Sequence, residues 1–158
     1  MRREQKISQF GFFNVDKPSG IVSSTVVNKI KWLSGVPCGH MGTLDPLASG
    51  VLPVAIGKAT RLFDYYLNKD KVYRTIFVFG KTTDTLDSEG RIINTNDVVV
   101  DKKTLESVLP EFIGKFNQMP PMYSAKKVNG KKAYEFAREN IEVELKPKQI
   151  EIYNISLI

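Results

Sequence analysis

Gly39-His40-Met41-Gly42-Thr43-Leu44-Asp45-Pro46-Leu47-Ala48-Ser49-Gly50-Val51-Leu52-Pro53-Val54-Ala55-Ile56 sets a glycine-hinged loop directly against an apolar run. Gly39, Gly42 and Gly50 let the backbone bend where a Cβ would clash. Pro46 disfavours the helical region for Asp45 and pushes it toward an extended conformation. Asp45 is the only charge from Gly39 to Gly50, has a leucine on either side, and shares the segment with the chain's only histidine, His40. Asp-Pro is a common turn initiator, and glycine-rich loops mostly connect elements. A solvated connector, however, carries more polar residues than this one. The density of hinges around a single acid predicts a shaped loop that holds a carboxylate against apolar neighbours, a setting suited to catalysis. Val51–Ile56 reads as the buried strand that anchors it.

On the N-terminal side, Phe10–Val15 reads as a short buried strand and Asp16-Lys17-Pro18-Ser19-Gly20 as a turn with a lysine at its apex. Ser23 or Ser24 can cap a helix whose apolar face is Val26, Val27, Ile30 and Leu33, ended by Gly35. On the C-terminal side, Ala59–Leu67 has helical spacing. Lys71–Gly80 alternates as a strand does, with Val72, Arg74, Ile76 and Val78 on one face and Tyr73, Thr75, Phe77 and Phe79 on the other. A polar loop at Thr82–Gly90 leads to a short strand at Arg91–Asn94, then to an amphipathic helix at Asp101–Phe112 stopped by Gly114. Beyond the Pro120-Pro121 break, Met122–Val128 reads as a strand, Asn129-Gly130 as a turn and Lys131–Asn140 as a helix. Ile141–Leu145 and Gln149–Ile158 read as strands. Strands and helices without strict alternation indicate an α+β fold, a mixed and largely antiparallel sheet with flanking helices.

The 158 residues suit one domain with a sizeable core. No apolar run reaches membrane-spanning length, no signal-type stretch follows the N-terminus, and the single cysteine, Cys38, excludes an internal disulfide. These features point to the cytoplasm. One cysteine and one histidine argue against a structural zinc site. The net charge of +6, from 23 Lys+Arg against 17 Asp+Glu, permits a polyanionic partner without requiring one. Lysines gather at 126–132, 146 and 148, and acidic residues between Asp84 and Asp101. Alone, such a cluster reads as a solvated face.

Six motifs occur in order: Asp16-Lys17-Pro18-Ser19-Gly20, the Gly39–Gly50 loop, Gly57-Lys58-Ala59-Thr60-Arg61, Lys71-Val72-Tyr73-Arg74, Thr83-Asp84-Thr85-Leu86-Asp87 and the stretch from Pro121 to Tyr134. From Phe12 onward the chain closely resembles the TruB family of tRNA pseudouridine synthases in its bacterial branch. The resemblance implies a pseudouridine-synthase-like fold and the isomerisation of one uridine in the TΨC loop of tRNA (position 55), without metal or organic cofactor. It implies Asp45 as the catalytic aspartate, acting either on the ribose C1′ or at C2′. Tyr73 matches an active-site tyrosine that stacks on the target base, and His40 a histidine inserted near the flipped nucleotide. Asp87 matches a carboxylate of the active-site charge network. Lys17, Arg61, Lys126, Lys131 and Lys132 fit phosphate contacts, which supply salt-dependent affinity and register. Pro121–Tyr134 resembles a mobile thumb over the T-arm, within an RNA-binding insertion near 115–145.

In that family the chain continues into a segment whose arginine pairs with the catalytic aspartate, and then into a small RNA-binding domain of the PUA type. Neither occurs in these residues. The expectation is therefore that 1–158 form the N-terminal part of a catalytic domain, incomplete at its C-terminal end, with room for a complementing C-terminal fragment as a partner beside tRNA. Neither a metal nor a membrane is expected. The alternative function is a non-catalytic fragment that grips RNA. An aspartate-nucleophile hydrolase or phosphatase is poorly supported, because Leu47 and Ala48 stand where a second, metal-binding carboxylate would follow Asp45.

Overall fold

The apolar run after the Asp45 loop becomes the central strand of a three-stranded antiparallel sheet. The structure, a computed structural model, describes residues 10–67, 69–120, 127–128, 130–139, 141 and 143–158. The chain divides into two compact units, with the boundary in sequence between Arg74 and Thr75.

In the first unit, β1 (Gly11–Lys17) and β2 (Cys38–His40) flank β3 (Gly50–Ile56) in the order β1-β3-β2. Gly11 pairs with Ile56 and Lys17 with Gly50 along β1, and Cys38 pairs with Ile56 along β2. A proline in a central strand needs its missing N–H placed where no ladder bond is lost. In an antiparallel strand, a residue's N–H and C=O point to the same edge. The Pro53 carbonyl accepts from Met41 N at 2.8 Å, so the absent donor faces the β2 side, just past His40, the last residue paired there. The ladder stops at that point, and the chain leaves the sheet to form the Asp45 loop.

Helix α1 (Ser23–Ser34) packs Val26 against Leu52 and Val54, with Val15, Ile21, Val27, Ile30, Cys38 and Leu44 around them. Gly35, at φ 66, ends the helix in the left-handed conformation, and its N–H bonds to the Lys31 carbonyl. A second cluster joins Met41, Ala55 and Ala59 to Tyr66, on which Phe12 stacks at 5.0 Å between ring centroids. The expected helix at 59–67 is realised as a 3-10 turn, Gly57–Leu62, followed by α2 (Phe63–Leu67).

In the second unit, β4 (Lys81–Thr83) pairs with β5 (Ile92–Thr95), and α3 (Lys102–Val108) runs into a 3-10 turn at Leu109–Phe112. Strand β6 (Gly114–Gln118) pairs with β9 (Lys148–Ile152), bracketing the hairpin of β7 (Lys127–Val128) and β8 (Lys131–Lys132) and the helix α4 (Ala133–Arg138). All pairings between described strands are antiparallel.

Several sequence expectations need correction. Lys17 is not at a turn apex but ends β1, fully buried. Neither serine caps α1: the N-cap is Val22, with no side-chain cap, and the Ser23 hydroxyl is used elsewhere. Phe12 and Phe13 are exposed, so β1 is buried mainly through Lys17. Residues 71–79 form no strand; their alternation is real, but no described strand pairs with them, and Val72 is 98% exposed. A strand requires a hydrogen-bonded neighbour, which a local pattern cannot supply. The strand expected at 141–145 is likewise absent among its described residues, and that expected at 149–158 is confined to β9. The expected helix at 131–140 begins only after β8. Of the strand expected at Met122–Val128, residues 122–126 lie outside the described residues, as does Asn129 of the expected turn.

Asp101 caps α3, its carboxylate accepting from Thr104 N at 2.7 Å. This bond from the Thr104 backbone holds its pKa below the ordinary carboxylate value. A lowered pKa means that the folded state favours the charged form. Its contribution is complete above the unfolded pKa and is lost as pH falls through the lowered folded value. Asp101→Ala should therefore lower the melting temperature at neutral pH, and the deficit should shrink on acidification. A deficit that is constant into strong acid would contradict this account of the cap.

Candidate active site

Asp45 and Pro46 open a β-turn in which Ala48 N donates to the Asp45 carbonyl at 3.1 Å. Proline at the second position and aspartate at the first suit a turn of this kind. The loop's carbonyls would be left without partners as it leaves the sheet, and the segment 17–23 supplies them. The Lys17 ammonium donates to the carbonyls of Pro18, Ile21 and Pro46 at 2.9, 2.8 and 3.3 Å. Gly20 N donates to the same Pro46 carbonyl at 2.8 Å. The Ser19 hydroxyl donates to the Leu47 carbonyl at 2.7 Å, and the Ser23 hydroxyl to the Leu44 carbonyl at 2.7 Å. The backbone on both sides of Asp45 is thus pinned to one neighbouring segment. Gly20 sits at φ 87, a conformation that brings its N–H to the turn at little cost for glycine alone.

Asp45 itself is exposed, and among the described residues its carboxylate has no hydrogen-bond or ion-pair partner. The apolar shielding expected from its neighbours is only partial: Leu44 is half-buried in the core cluster and Leu47 is exposed. What the loop provides is a fixed backbone that presents a free acid.

His40 ends β2, half-buried, with its Nδ1 enclosed and without a hydrogen-bond partner among the described residues. Arg61 is exposed on the 3-10 turn and pairs with no described carboxylate. Tyr73 is 69% exposed and makes no hydrogen bond or ring contact with another described residue. Lys17 cannot face a phosphate in this arrangement, since it is 0% exposed and its donors are taken by carbonyls.

Asp87 belongs to the other unit, where it organises its own loop. Its Oδ1 accepts from Thr85 Oγ1 at 2.6 Å and from Glu89 N at 2.9 Å. Beside it, Asp84 pairs with Arg91 at 3.3 Å. Lys131 places its ammonium 5.7 Å from the centroid of the Phe136 ring, a cation–π distance. Lys132 pairs with Lys127 along β8, and Lys126 lies outside the described residues. Among the described residues, no three His, Cys, Asp or Glu side chains are grouped to hold a metal, and no helix is long and apolar enough to cross a membrane. Ser19 and Ser23 were not marked by the sequence as parts of the site; serine after a turn carries no signal of which distant carbonyl it will meet.

A chain in the crystal structure of a Cbf5–Nop10–Gar1 complex superposes with a TM-score of 0.51 at 32% identity, over 75% of this chain and 31% of that one. The family model for TruB family pseudouridylate synthase (N terminal domain) matches residues 31–158. The chain belongs to this family. Among its relatives, tRNA pseudouridine synthase B of Clostridium kluyveri is 45% identical over 149 residues, covering 94% of this chain and 52% of that protein. The protein of the same name from Syntrophotalea carbinolica is 47% identical over 150 residues, covering 94% of this chain and 49% of that protein. The chain thus spans about half the length of the curated relatives it matches.

The Lys17 contacts make a direct prediction. Lys17→Met keeps the length of the side chain but takes from the carbonyls of Pro18 and Ile21 the donor they have in Lys17, and leaves the Pro46 carbonyl with the Gly20 amide alone. An unsatisfied buried polar group costs about 1–3 kcal/mol. The variant should unfold at lower denaturant concentration by that amount, and the Gly20 amide should exchange faster with solvent. Unchanged exchange at Gly20 would show that the lysine does not hold the turn.

Proposed function

We propose that the protein carrying this chain isomerises uridine to pseudouridine in the TΨC loop of tRNA, at position 55, with Asp45 as the reacting carboxylate. One observation carries the reading: Asp45 is a free, exposed acid on a turn whose backbone is held from both sides. The names of the relatives support the substrate class.

In the reaction, the bond between uracil N1 and the ribose C1′ breaks, the base turns, C5 bonds to C1′ and loses its proton to solvent, and N1 takes up a proton, so that product and substrate are isomers. The carboxylate must approach the ribose, and a rigid turn lets it do so without first ordering the loop. The target base must leave its stack, and the face of Tyr73 offers it a replacement. His40 is assigned a binding role at the flipped nucleotide. Arg61, Lys126, Lys131 and Lys132 would contact phosphates, contributing affinity that falls with salt. Recognition of the T-arm would rest on its shape and its splayed bases, as is usual for RNA. The cytoplasm is the compartment in which such a substrate is met, and the rest of the protein would complete the site as a C-terminal portion.

The test is release of tritium from tRNA labelled at uridine C5, measured with the full-length protein. Release should be stoichiometric with one uridine per tRNA for the wild type and fall to background for Asp45→Asn. Persisting release in the variant would remove Asp45 from the mechanism. Salt-sensitive tRNA binding with no release by the wild type would favour the non-catalytic RNA-binding alternative.

A further inference from the structure

We infer that Ser23 is a positioning residue for Asp45, acting through the peptide that precedes it; the inference rests on the catalytic reading of Asp45. Ser23 is the first residue of α1 and is 3% exposed. A hydroxyl at the start of a helix ordinarily turns back to cap it. Here the N-cap is Val22, no side chain caps the helix, and the Ser23 hydroxyl points across to the Asp45 loop. It meets both polar groups of a single residue, donating to the Leu44 carbonyl at 2.7 Å and accepting from Leu44 N at 3.1 Å. A hydroxyl can serve as donor and acceptor at once, and this one is used in both senses.

The consequence follows from the geometry of the peptide unit. The Leu44 carbonyl and the Asp45 nitrogen lie in one rigid plane. Fixing the carbonyl therefore fixes the bond about which Asp45 would swing. The other side of Asp45 is held independently by the bonds to the Pro46 and Leu47 carbonyls. The Leu44 side chain in turn packs on the cluster of Val26, Leu52 and Val54, and Val26 is one helical turn along from Ser23. Leu44 is thus held by its backbone through Ser23 of α1 and by its side chain in the cluster that α1 forms with β3. The Asp45 carboxylate itself is left without a partner among the described residues. A misplacement of about 1 Å at such a group can cost on the order of a hundredfold in rate.

The experiment compares Ser23→Ala and Ser23→Thr in the full-length protein, by single-turnover and steady-state tritium release and by amide exchange at Leu44. In Ser23→Ala, kcat should fall about ten- to a hundredfold with KM for tRNA within about twofold. Leu44 N should also lose its protection. Ser23→Thr, which keeps the hydroxyl, should recover most of kcat and the protection. The inference is overturned by unchanged Leu44 exchange in Ser23→Ala, by a loss confined to KM, or by an equal loss of kcat in Ser23→Thr with Leu44 still protected. The exchange readout does not depend on turnover. A wild type that releases no tritium would count against the catalytic reading of Asp45 and with it the positioning role, whatever the exchange shows.

Discussion

The architecture of the first unit turns on a single requirement: a loop of glycines and one proline cannot satisfy its own backbone. Helices and sheets pair their carbonyls internally, whereas the stretch from Met41 to Ser49 has one internal turn bond, from Ala48 to Asp45. Met41 N bonds back to Pro53 of β3, and the backbone of Leu44, Pro46 and Leu47 is met by residues 17–23, through an ammonium, an amide and two hydroxyls. Buried backbone groups without partners are rare because each is costly. The loop and the segment that holds it are therefore one structural unit, although more than twenty residues of sequence separate Ser23 from Leu44.

The sheet decides where this unit sits. Strand β3 is shared between β1, which delivers Lys17 beside Gly50, and β2, which stops where Pro53 presents no N–H. The antiparallel register thus sets the end of β1 beside Gly50, where the loop re-enters the sheet. Charge burial follows from the same arrangement. A lysine that is fully enclosed is tolerated only when its donors find acceptors, and three carbonyls meet that need.

The parts of this arrangement that were legible in the sequence are those set by local rules. Glycines mark the hinges of the loop, Pro46 its turn, Gly35 the end of α1, and the periodicity of Val26, Val27 and Ile30 the buried face of that helix. The parts that were not legible depend on a distant partner. Lys71–Gly80 has a strand's alternation but no described strand beside it, and Gly114–Gln118 has only Phe116 as an apolar signal yet becomes β6 because β9 pairs with it. Ser23 looked like a cap because serine before a helix usually is one. Its actual acceptor, across the core, is a tertiary fact. Lys17 reads as the apex of a turn for the same reason: the residues around it describe a turn, while the carbonyls that enclose it come partly from elsewhere.

The clasp on the Asp45 loop also bears on which substitutions the family can accumulate. Every hydrogen bond it makes with residues 44, 46 and 47 is to a backbone atom. The side chain at the exposed Leu47 is never consulted, so that position can drift in size and polarity while the turn keeps its shape. The burden of fidelity falls instead on the other partner, where a hydroxyl or an ammonium must be kept. Variation near the acid and constancy at a distance from it is the pattern such a grip permits.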